Sequence, residues 1–431
     1  MKYKILFSFF HQLSERFLLS WIYLIQKAVS FCCLVFLFSF SGFAQDSTPG
    51  KSALGDGLNF SLNEDNFQFK ISGFVQPSYQ YYKLDKQKVE NNFRSKRTYL
   101  NFGGKALREK VSFFVQADFS APTPLLDAWA AYHFNSKWEV SVGQRRTFTN
   151  NREMTFDEDK LQFSDRGMLS TGFSGTGREF GIFVQGKIGK TFVMMPQLAI
   201  TSGDGANSFG ANSLDVDLGG LKYGGRLDIM PLGEFSEGNT GFSADLKHEE
   251  NPKILVGVAG SFNQGVSSAK GEGHADFIFY DANKTRNLPD YRKLSADILV
   301  KFKGFSLMAE WMNASASHLK GIYLDSITPI NTSKILAPGQ ISQFLVLGNA
   351  WNAQLGYVSK NGYAIDVRYE NMSPEFSDQA FSQLQQAKVS TLGLGKYFNG
   401  HKLKLQATVS QVEFANSGKA MRGELLMQVV F

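Results

Sequence analysis

The sequence predicts an all-β protein, a transmembrane antiparallel β-barrel of about 16 strands. Three observations lead to this fold class: a secretory pattern at the N-terminus, alternating segments separated in turn by short and long connections, and a last segment that ends on an aromatic residue. Aromatic residues make up 14% of the chain, and Phe alone contributes 40 residues. A composition rich in Phe, Tyr and Gly suits a barrel whose outer surface faces lipid.

The N-terminus has the layout of a secretory signal peptide. Lys27 is followed by an apolar stretch over residues 28–40, and the small residues Gly42 and Ala44 then form a cleavage site. An uncleaved membrane helix over residues 17–43 is the alternative interpretation. We expect three regions: a signal peptide over 1–44, a periplasmic N-terminal lead-in over 45–66, and an outer-membrane β-barrel domain over 67–431.

Both cysteines, Cys32 and Cys33, lie in the predicted leader. The mature chain would then have no disulfide, no thiolate metal site and no Cys nucleophile. No run of about 18 apolar residues follows residue 44, so we do not expect helices to span a membrane.

Sixteen alternating segments follow one another after the lead-in. Val111, Phe113 and Val115, for example, alternate with Ser112 and Gln116, as in a strand with one apolar and one polar face. The predicted strands are 67–82, 95–104, 109–119, 125–134, 137–146, 178–188, 191–201, 219–229, 252–262, 292–302, 304–313, 349–359, 362–372, 388–398, 401–411 and 421–431.

The connections between these segments are of two kinds. Tight joins such as Lys303-Gly304 and Asn399-Gly400 suit two-residue hairpins, in which positive φ is needed. Short and long joins largely alternate, as in a barrel with turns on one side of the membrane and loops on the other. Residues 230–251 break this rule, and we expect a structured periplasmic excursion there. The long connections are 147–177, 202–218, 263–291, 314–348 and 373–387.

The last segment, Met421–Phe431, carries Leu425, Met427, Val429 and Phe431 on one face. A barrel closes its last strand against its first and exposes that face to lipid, which accounts for a terminal aromatic residue. The alternative is an edge strand of a soluble sandwich.

Five further stretches occur in a distinctive order: Phe93–Gly104, Leu125–Tyr132, Val142–Arg146, Leu161–Arg166 and Gly177–Gly181. In that order and spacing they resemble the phosphate-selective porin O and P family of Bacteroidetes-type bacteria. The similarity is densest over 67–205 and continues collinearly to the C-terminus. The resemblance implies a 16-stranded barrel, usually trimeric, whose third extracellular loop folds inward to constrict the pore. Here that loop would be 147–177.

Charge on the predicted pore wall departs from the resemblance, which implies a ladder of arginines and a cluster of lysines. The inward-facing positions of this chain carry ten basic and ten acidic residues. The fold and the channel character therefore carry over better than phosphate selectivity does. The main basic residues predicted to line the pore are Lys70, Arg97, Lys187, Arg226 and Arg368.

The sharpest candidate site is a set of arginines around the predicted constriction. Guanidinium groups match phosphate or carboxylate oxygens, and rings of Arg or Lys select anions in pores. An equally weighted alternative is that these arginines pair with nearby acidic residues, such as Glu153 and Glu179, to hold the loop against the wall. The predicted constriction and anion-binding residues are Arg145, Arg146, Arg152, Arg166 and Arg178.

We expect no enzyme activity, no cofactor and no metal site. No His lies three or four residues from another His or Cys in the mature chain, so zinc spacing is absent, and no nucleophile motif such as G-x-S-x-G stands out. The formal charge of +6 falls when the leader is removed, to 41 basic against 38 acidic residues. That excess is too small to indicate nucleic-acid binding.

The favoured function is an outer-membrane porin that lets small hydrophilic solutes diffuse passively, with anions such as phosphate as candidate solutes. The alternative is a surface binding or adhesion protein in which the barrel is an anchor and loops 263–291 and 314–348 act. The expected partners are outer-membrane lipid, the solutes and, in a homotrimer, further copies of the chain.

Overall fold

The computed structural model describes residues 54–62, 66–203, 220–273, 276–324, 326, 335–377 and 381–431. The predicted signal peptide and both cysteines lie outside these residues. Seventeen strands, numbered in chain order, make up most of the described chain. They are β1 (Leu58–Leu62), β2 (Phe67–Leu84), β3 (Glu90–Ala106), β4 (Val111–Asp118), β5 (Leu125–Asn135), β6 (Trp138–Arg146), β7 (Arg178–Gly186), β8 (Val193–Thr201), β9 (Lys222–Met230), β10 (Lys253–Asn263), β11 (Asp290–Phe302), β12 (Phe305–Ser317), β13 (Gly348–Val358), β14 (Tyr363–Pro374), β15 (Ala387–Asn399), β16 (Leu403–Phe414) and β17 (Gly418–Val430).

Strands β2 to β17 form one closed antiparallel barrel of 16 strands, which confirms the predicted fold class. Each strand pairs with the next along the chain, and β17 pairs with β2. At the seam, the Phe431 N–H donates to the Gly73 carbonyl oxygen at 2.9 Å, and the Gly73 N–H donates to the Phe431 carbonyl oxygen at 3.0 Å. Closure pairs the edges of the first and last barrel strands, which would otherwise expose polar backbone groups to lipid.

The two faces of the barrel strands have the polarity expected of a wall between lipid and water. On β14, Ile365 and Val367 are exposed at 52% and 47%, whereas the alternate residues Asp366, Arg368 and Glu370 are buried. Soluble proteins show the reverse distribution, because charged side chains are rarely buried without partners. The apolar side chains therefore face outward and the charged side chains face the lumen, as in transmembrane barrels.

The strand β1 was missed in the sequence and lies within the predicted lead-in. It pairs with Phe67–Ile71 at the start of β2, where β2 extends beyond its pairing with β17. An ion pair between Asp56 and Lys402, at 2.6 Å, joins the residues just before β1 to the turn between β15 and β16.

The barrel has a turn end, with short hairpins, and a loop end, with the long connections. The hairpin between β11 and β12 shows the short type: Lys303 and Gly304 have φ values of 48° and 88°. Positive φ at both central residues is the geometry of a type I′ turn, which glycine adopts without steric cost.

Residues 231–252, which we call the turn-end segment, connect β9 and β10 at the turn end and include a 3₁₀ helix at Asn239–Gly241. The fully buried Lys301 of β11 donates from Nζ to the carbonyl oxygens of Asn239, Phe242 and Ala244 at 2.5, 2.7 and 3.0 Å. The Phe242 ring stacks on His401, with ring centroids 4.5 Å apart. The segment is thus a folded element bonded to strand β11 and to the β15–β16 turn, as expected for residues 230–251.

Short helices belong to the connections: α1 (Arg152–Thr155), α2 (Met168–Phe173), α3 (Pro338–Ile341) and a 3₁₀ helix at Glu158–Lys160. None of the helices in the described ranges is long and apolar enough to cross a membrane. At the loop end, Leu169 and Phe173 of α2 pack into one apolar core with Val266, Phe279 and Leu345 from two other connections. Folded connections therefore cover part of the loop end.

We expect Lys301→Met to destabilise the turn-end segment. The change removes one donor from each of three carbonyl oxygens, and those of Phe242 and Ala244 lose their side-chain donor entirely, which costs about 3 kcal/mol. The measurements are protease cleavage within 231–252 and urea unfolding of the purified barrel. Lys303→Met, in the adjacent turn, is the matched control and should behave as wild type. Equal protease resistance of the two variants would contradict this role of Lys301.

Candidate functional site

Residues 147–177, which we call the constriction loop, connect β6 and β7 and cross the lumen. The Lys404 Nζ of β16 donates to the Leu161 carbonyl oxygen at 2.9 Å, and the Gln428 Nε2 of β17 donates to the Asp159 carbonyl oxygen at 3.0 Å. Gln162 donates to Asp366 of β14. These strands lie well away from β6 and β7 around the barrel, so this third connection on the loop end folds inward.

A buried quartet of charges fixes one part of the loop to strands β9 and β11. Arg152 of α1 pairs with Asp228 of β9 at 2.5 Å and with Asp297 of β11 at 2.9 Å. Arg226 of β9 pairs with the same two carboxylates. Two guanidinium groups therefore neutralise two carboxylates in a site with little solvent. Gly257 of β10 makes room for this quartet, because a Cβ there would overlap Arg226, Asp297 and Arg152.

A second anchor centres on the buried carboxylate of Glu153. Its Oε1 accepts a hydrogen bond from Arg368 Nη1 at 2.7 Å, and its Oε2 accepts from the Gly167 N–H at 2.7 Å and from the Ser170 hydroxyl at 2.6 Å. The Arg368 guanidinium also lies 4.5 Å from the centre of the Phe163 ring. This carboxylate thus joins α1, the start of α2 and strand β14.

Glu158 is the acceptor for three arginines. Its carboxylate oxygens lie 3.1 Å from Arg146, 3.0 Å from Arg166 and 3.8 Å from Arg178. Arg178 also pairs with Asp127 of β5 at 2.8 Å. Burial alone would raise the pKa of Glu158, but the surrounding guanidinium groups outweigh it and hold this pKa well below its ordinary value.

The fifth predicted constriction residue, Arg145, lies on β6 below the loop. It lies 3.5 Å from Glu139, donates to the Ser141 hydroxyl at 2.6 Å, and lies over the rings of Trp129 and Phe148 at 4.8 and 5.1 Å. Each of the five predicted arginines therefore has an acidic partner. These contacts are the ones expected if the arginines hold the loop against the wall.

The predicted pore-lining basic residues divide into three groups. Arg226 and Arg368 belong to the anchors just described, and Arg97 pairs with Asp165 at 2.8 Å. Lys70 is exposed near the turn end of β2. Lys187 lies just after the end of β7 at Gly186, next to the isolated β-bridge between Ile188 and Met194, and pairs with Glu234 of the turn-end segment at 2.6 Å.

Sequence reasoning missed Lys96. Alternation from Arg97 places it on the outer face, but a β-bulge opposite Gln76 and Pro77 shifts the register of β3. Lys96 therefore also reaches the lumen, where its Nζ lies 2.8 Å from Asp165 and 2.6 Å from Glu424. Nothing in the strand pattern signals such a bulge.

Two cavities lie above and below the layer of side chains around Glu158. A cavity of about 370 Å³ lies towards the loop end and a cavity of about 390 Å³ towards the turn end. The loop-end cavity is lined by the loop residues Ser164–Arg166 and by residues of β2, β14, β16 and β17. The turn-end cavity is lined by residues of β1 to β5.

Among the described residues, no group of three or more His, Cys, Asp or Glu side chains has the arrangement of a metal site.

We expect Arg152→Ala to release the constriction loop from strands β9 and β11. The change leaves Asp228 and Asp297 with one guanidinium instead of two, and loss of a partner from a buried ion pair costs about 3–5 kcal/mol. Single-channel conductance should rise and protease cleavage within 147–177 should accelerate. Arg292→Ala, on the same strand as Asp297 but outside the quartet, is the control. Wild-type conductance in the Arg152 variant would count against the quartet as an anchor.

We expect the conductance to rise at low pH as Glu158 becomes protonated. Because the pKa of Glu158 is lowered from its ordinary 4.5 in the folded loop, its ionised form stabilises that loop. This stabilisation is complete above about pH 4.5 and declines as the pH falls towards the lowered pKa. Conductance recorded against pH tests this. Glu158→Gln should show raised conductance at neutral pH and no further rise from this group; an identical pH profile in both proteins would refute the idea.

The comparisons with known proteins agree with this geometry. Residues 69–215 match the model of the phosphate-selective porin O and P family. A search of curated proteins found no match. Among solved structures, the barrel is similar to an anion-selective porin from Comamonas acidovorans, with a TM-score of 0.52, 10% identity, and coverage of 85% of this chain and 100% of that one.

Two further solved structures show the same likeness. The outer-membrane-expressed OmpT of Vibrio cholerae has a TM-score of 0.51 and 8% identity over 86% of this chain and 100% of that one. The outer membrane channel DcaP of Acinetobacter baumannii has a TM-score of 0.50 and 12% identity over 86% and 99%. At such identities the likeness concerns the fold, whereas the family match concerns the sequence. The fold and the matched family are those of non-enzymatic channels. The chain thus matches the phosphate-selective porin O and P family over residues 69–215 and has the fold of a passive-diffusion porin of the bacterial outer membrane.

Proposed function

We propose that this porin is a narrow channel whose solute path follows the wall formed by β16, β17, β2 and the strands up to β5. The observation that carries the proposal is the position of the two cavities. They lie above and below the constriction along this wall. Buried ion pairs fix the loop to β9, β11 and β14, whereas its contacts with this wall are hydrogen bonds from Lys404 and Gln428 and the ion pairs of the half-exposed Asp165. A solute that crosses the barrel would pass from one cavity to the other beside Asp165.

The charges around Asp165, where this path passes the constriction loop, balance. Lys96 and Arg97 lie against the carboxylates of Asp165 and Glu424. A neutral network gives little electrostatic preference, because the fields of opposite charges close together largely cancel. We therefore propose weak selectivity between anions and cations rather than strong selection of phosphate. On this proposal Arg145, Arg146, Arg152, Arg166 and Arg178 shape the constriction by holding the loop.

Assembly and chemistry are part of the same proposal. We propose a homotrimer, which the family resemblance implies, with the apolar outer stripe of residues 125–134 as a contact. Multi-angle light scattering of the detergent-purified protein tests this. We also propose that transport involves no catalysis. Single-channel recording separates a porin from the alternative of a surface binding protein, since a barrel that serves only as an anchor would not conduct.

We expect Asp165→Asn to shift the channel towards anions. The Asp165 side chain is 48% exposed although it pairs with Lys96 and Arg97, so its removal leaves excess positive charge beside the path. The ratio of potassium to chloride permeability, from reversal potentials in a salt gradient, should fall about threefold.

Asp157→Asn is the matched control for this shift. Asp157 lies on the same loop with a side chain that is 42% exposed and pairs with Lys160, but it does not line the loop-end cavity. Its reversal potential should equal that of wild type. A shift of equal size in both variants would place the path elsewhere.

A further inference from the structure

The loop-end cavity has the features of a binding subsite as well as those of a passage. Its volume of about 370 Å³ lies at the lower end of the range for small-molecule sites, about 300–1,000 Å³. Such a space is larger than a lone inorganic anion needs. It lies between the mouth of the barrel and the constriction, where a solute would pause before it crosses.

Arg422 of β17 supplies the cavity with an unneutralised cation. It is exposed, and its guanidinium carbon lies 5.7 Å from the centre of the Tyr82 ring. No ion pair joins Arg422 to a carboxylate in the part of the chain that the structure describes. The other two arginines of the cavity differ, because Arg166 pairs with Glu158 and Arg368 pairs with Glu153.

The remaining charges of the cavity wall cancel locally. Asp165 and Glu424 are both bonded to Lys96, and Asp165 is bonded to Arg97 as well. Among the arginines that line the cavity, Arg422 is therefore the one without a carboxylate partner in the described part of the chain. A second negative charge on a solute in the cavity would face the two carboxylates with no free cation to pair with it.

Hydroxyl groups line the wall between these charges. Ser164, Thr408 and Ser410 border the cavity together with the amide of Gln80. The Thr408 hydroxyl oxygen accepts from the Ser164 N–H at 3.2 Å, and the hydroxyl oxygens of Ser410 and Thr391 lie 2.9 Å apart. Each hydroxyl can both donate and accept, so the wall suits a solute that carries hydroxyl groups of its own.

We propose that the loop-end cavity binds hydroxylated monocarboxylates of the sugar-acid class. The guanidinium fork of Arg422 binds the carboxylate, and the side chains of Ser164, Thr408, Ser410 and Gln80 bind the hydroxyl groups. The proposal rests on the proposed solute path, since it assigns a solute class to one site on that path.

The probe for this subsite is sodium D-gluconate, added on the loop side of single channels that carry chloride current. Gluconate should block the current at a lower concentration than propionate, which has the charge without the hydroxyl groups, or inorganic phosphate, which has more charge. Arg422→Gln should raise the half-blocking concentration of gluconate about tenfold, equivalent to about 1.4 kcal/mol. Ser410→Ala should weaken block by gluconate and leave block by propionate unchanged.

Arg94→Gln is the matched control, because it removes an exposed arginine from β3 that does not line this cavity. It should leave the block unchanged. Any of three results would overturn the proposal. They are equal block by propionate and gluconate, stronger block by phosphate than by gluconate, and an equal loss of gluconate block in Arg94→Gln and Arg422→Gln. Titration calorimetry with gluconate on the detergent-purified barrel gives a readout without conduction. A barrel that binds gluconate but does not conduct would refute the solute path and still support the subsite. A barrel that conducts but gives no binding heat with gluconate would refute the subsite alone.

Discussion

The rest of the structure depends on one constraint, that hydrocarbon cannot satisfy the hydrogen bonds of a polypeptide backbone. The chain meets it by pairing β17 with β2 and by the two hydrogen bonds between Phe431 and Gly73. Once the ring is closed, alternate side chains must lie inside it. The apolar residues are required by the lipid on the outside, so the lumen receives the charged and amide side chains, and it must arrange them without leaving them unpaired.

The constriction loop is the means by which this lumen pairs its charges. Asp228 and Asp297 on the wall would repel each other in a poorly hydrated space, and Arg226 alone would leave an excess negative charge. Arg152 from the loop supplies the missing positive charge. The same reasoning applies to Arg146 and Arg178: Glu158 of the loop lies beside both, and Asp127 of the wall supplies a second carboxylate for Arg178. Loop position and wall charge therefore depend on each other, and each arginine predicted at the constriction lies beside an acidic partner.

Alternation and hairpin chemistry are local, and they were enough to predict the sixteen barrel strands, whereas the inward fold of loop 147–177 was implied by the family resemblance. The partners within the lumen are not local: Arg152 meets Asp297 at a separation of 145 residues, and Arg368 meets Glu153 at a separation of 215. Strand periodicity says which residues face inward but not which of them meet across the barrel. Lys96 was missed for a related reason, since a one-residue bulge reverses the face that alternation assigns to it.

The turn-end segment extends the same principle to the other side of the constriction. Ser243 donates from its N–H and its hydroxyl to the carbonyl oxygen of Lys160, at 3.3 and 3.2 Å, so this segment and the constriction loop are directly bonded. His401 lies at the junction, stacked on Phe242 and 3.0 Å from the Asp159 carbonyl oxygen. Burial, reinforced by Lys404, Lys160 and Lys301, holds the pKa of His401 well below its ordinary value. Because the ring stays neutral, it adds no positive charge to a junction that already holds three lysines. The loop is thus supported from the wall by ion pairs and from the turn end by uncharged contacts, so its position depends on both ends of the barrel.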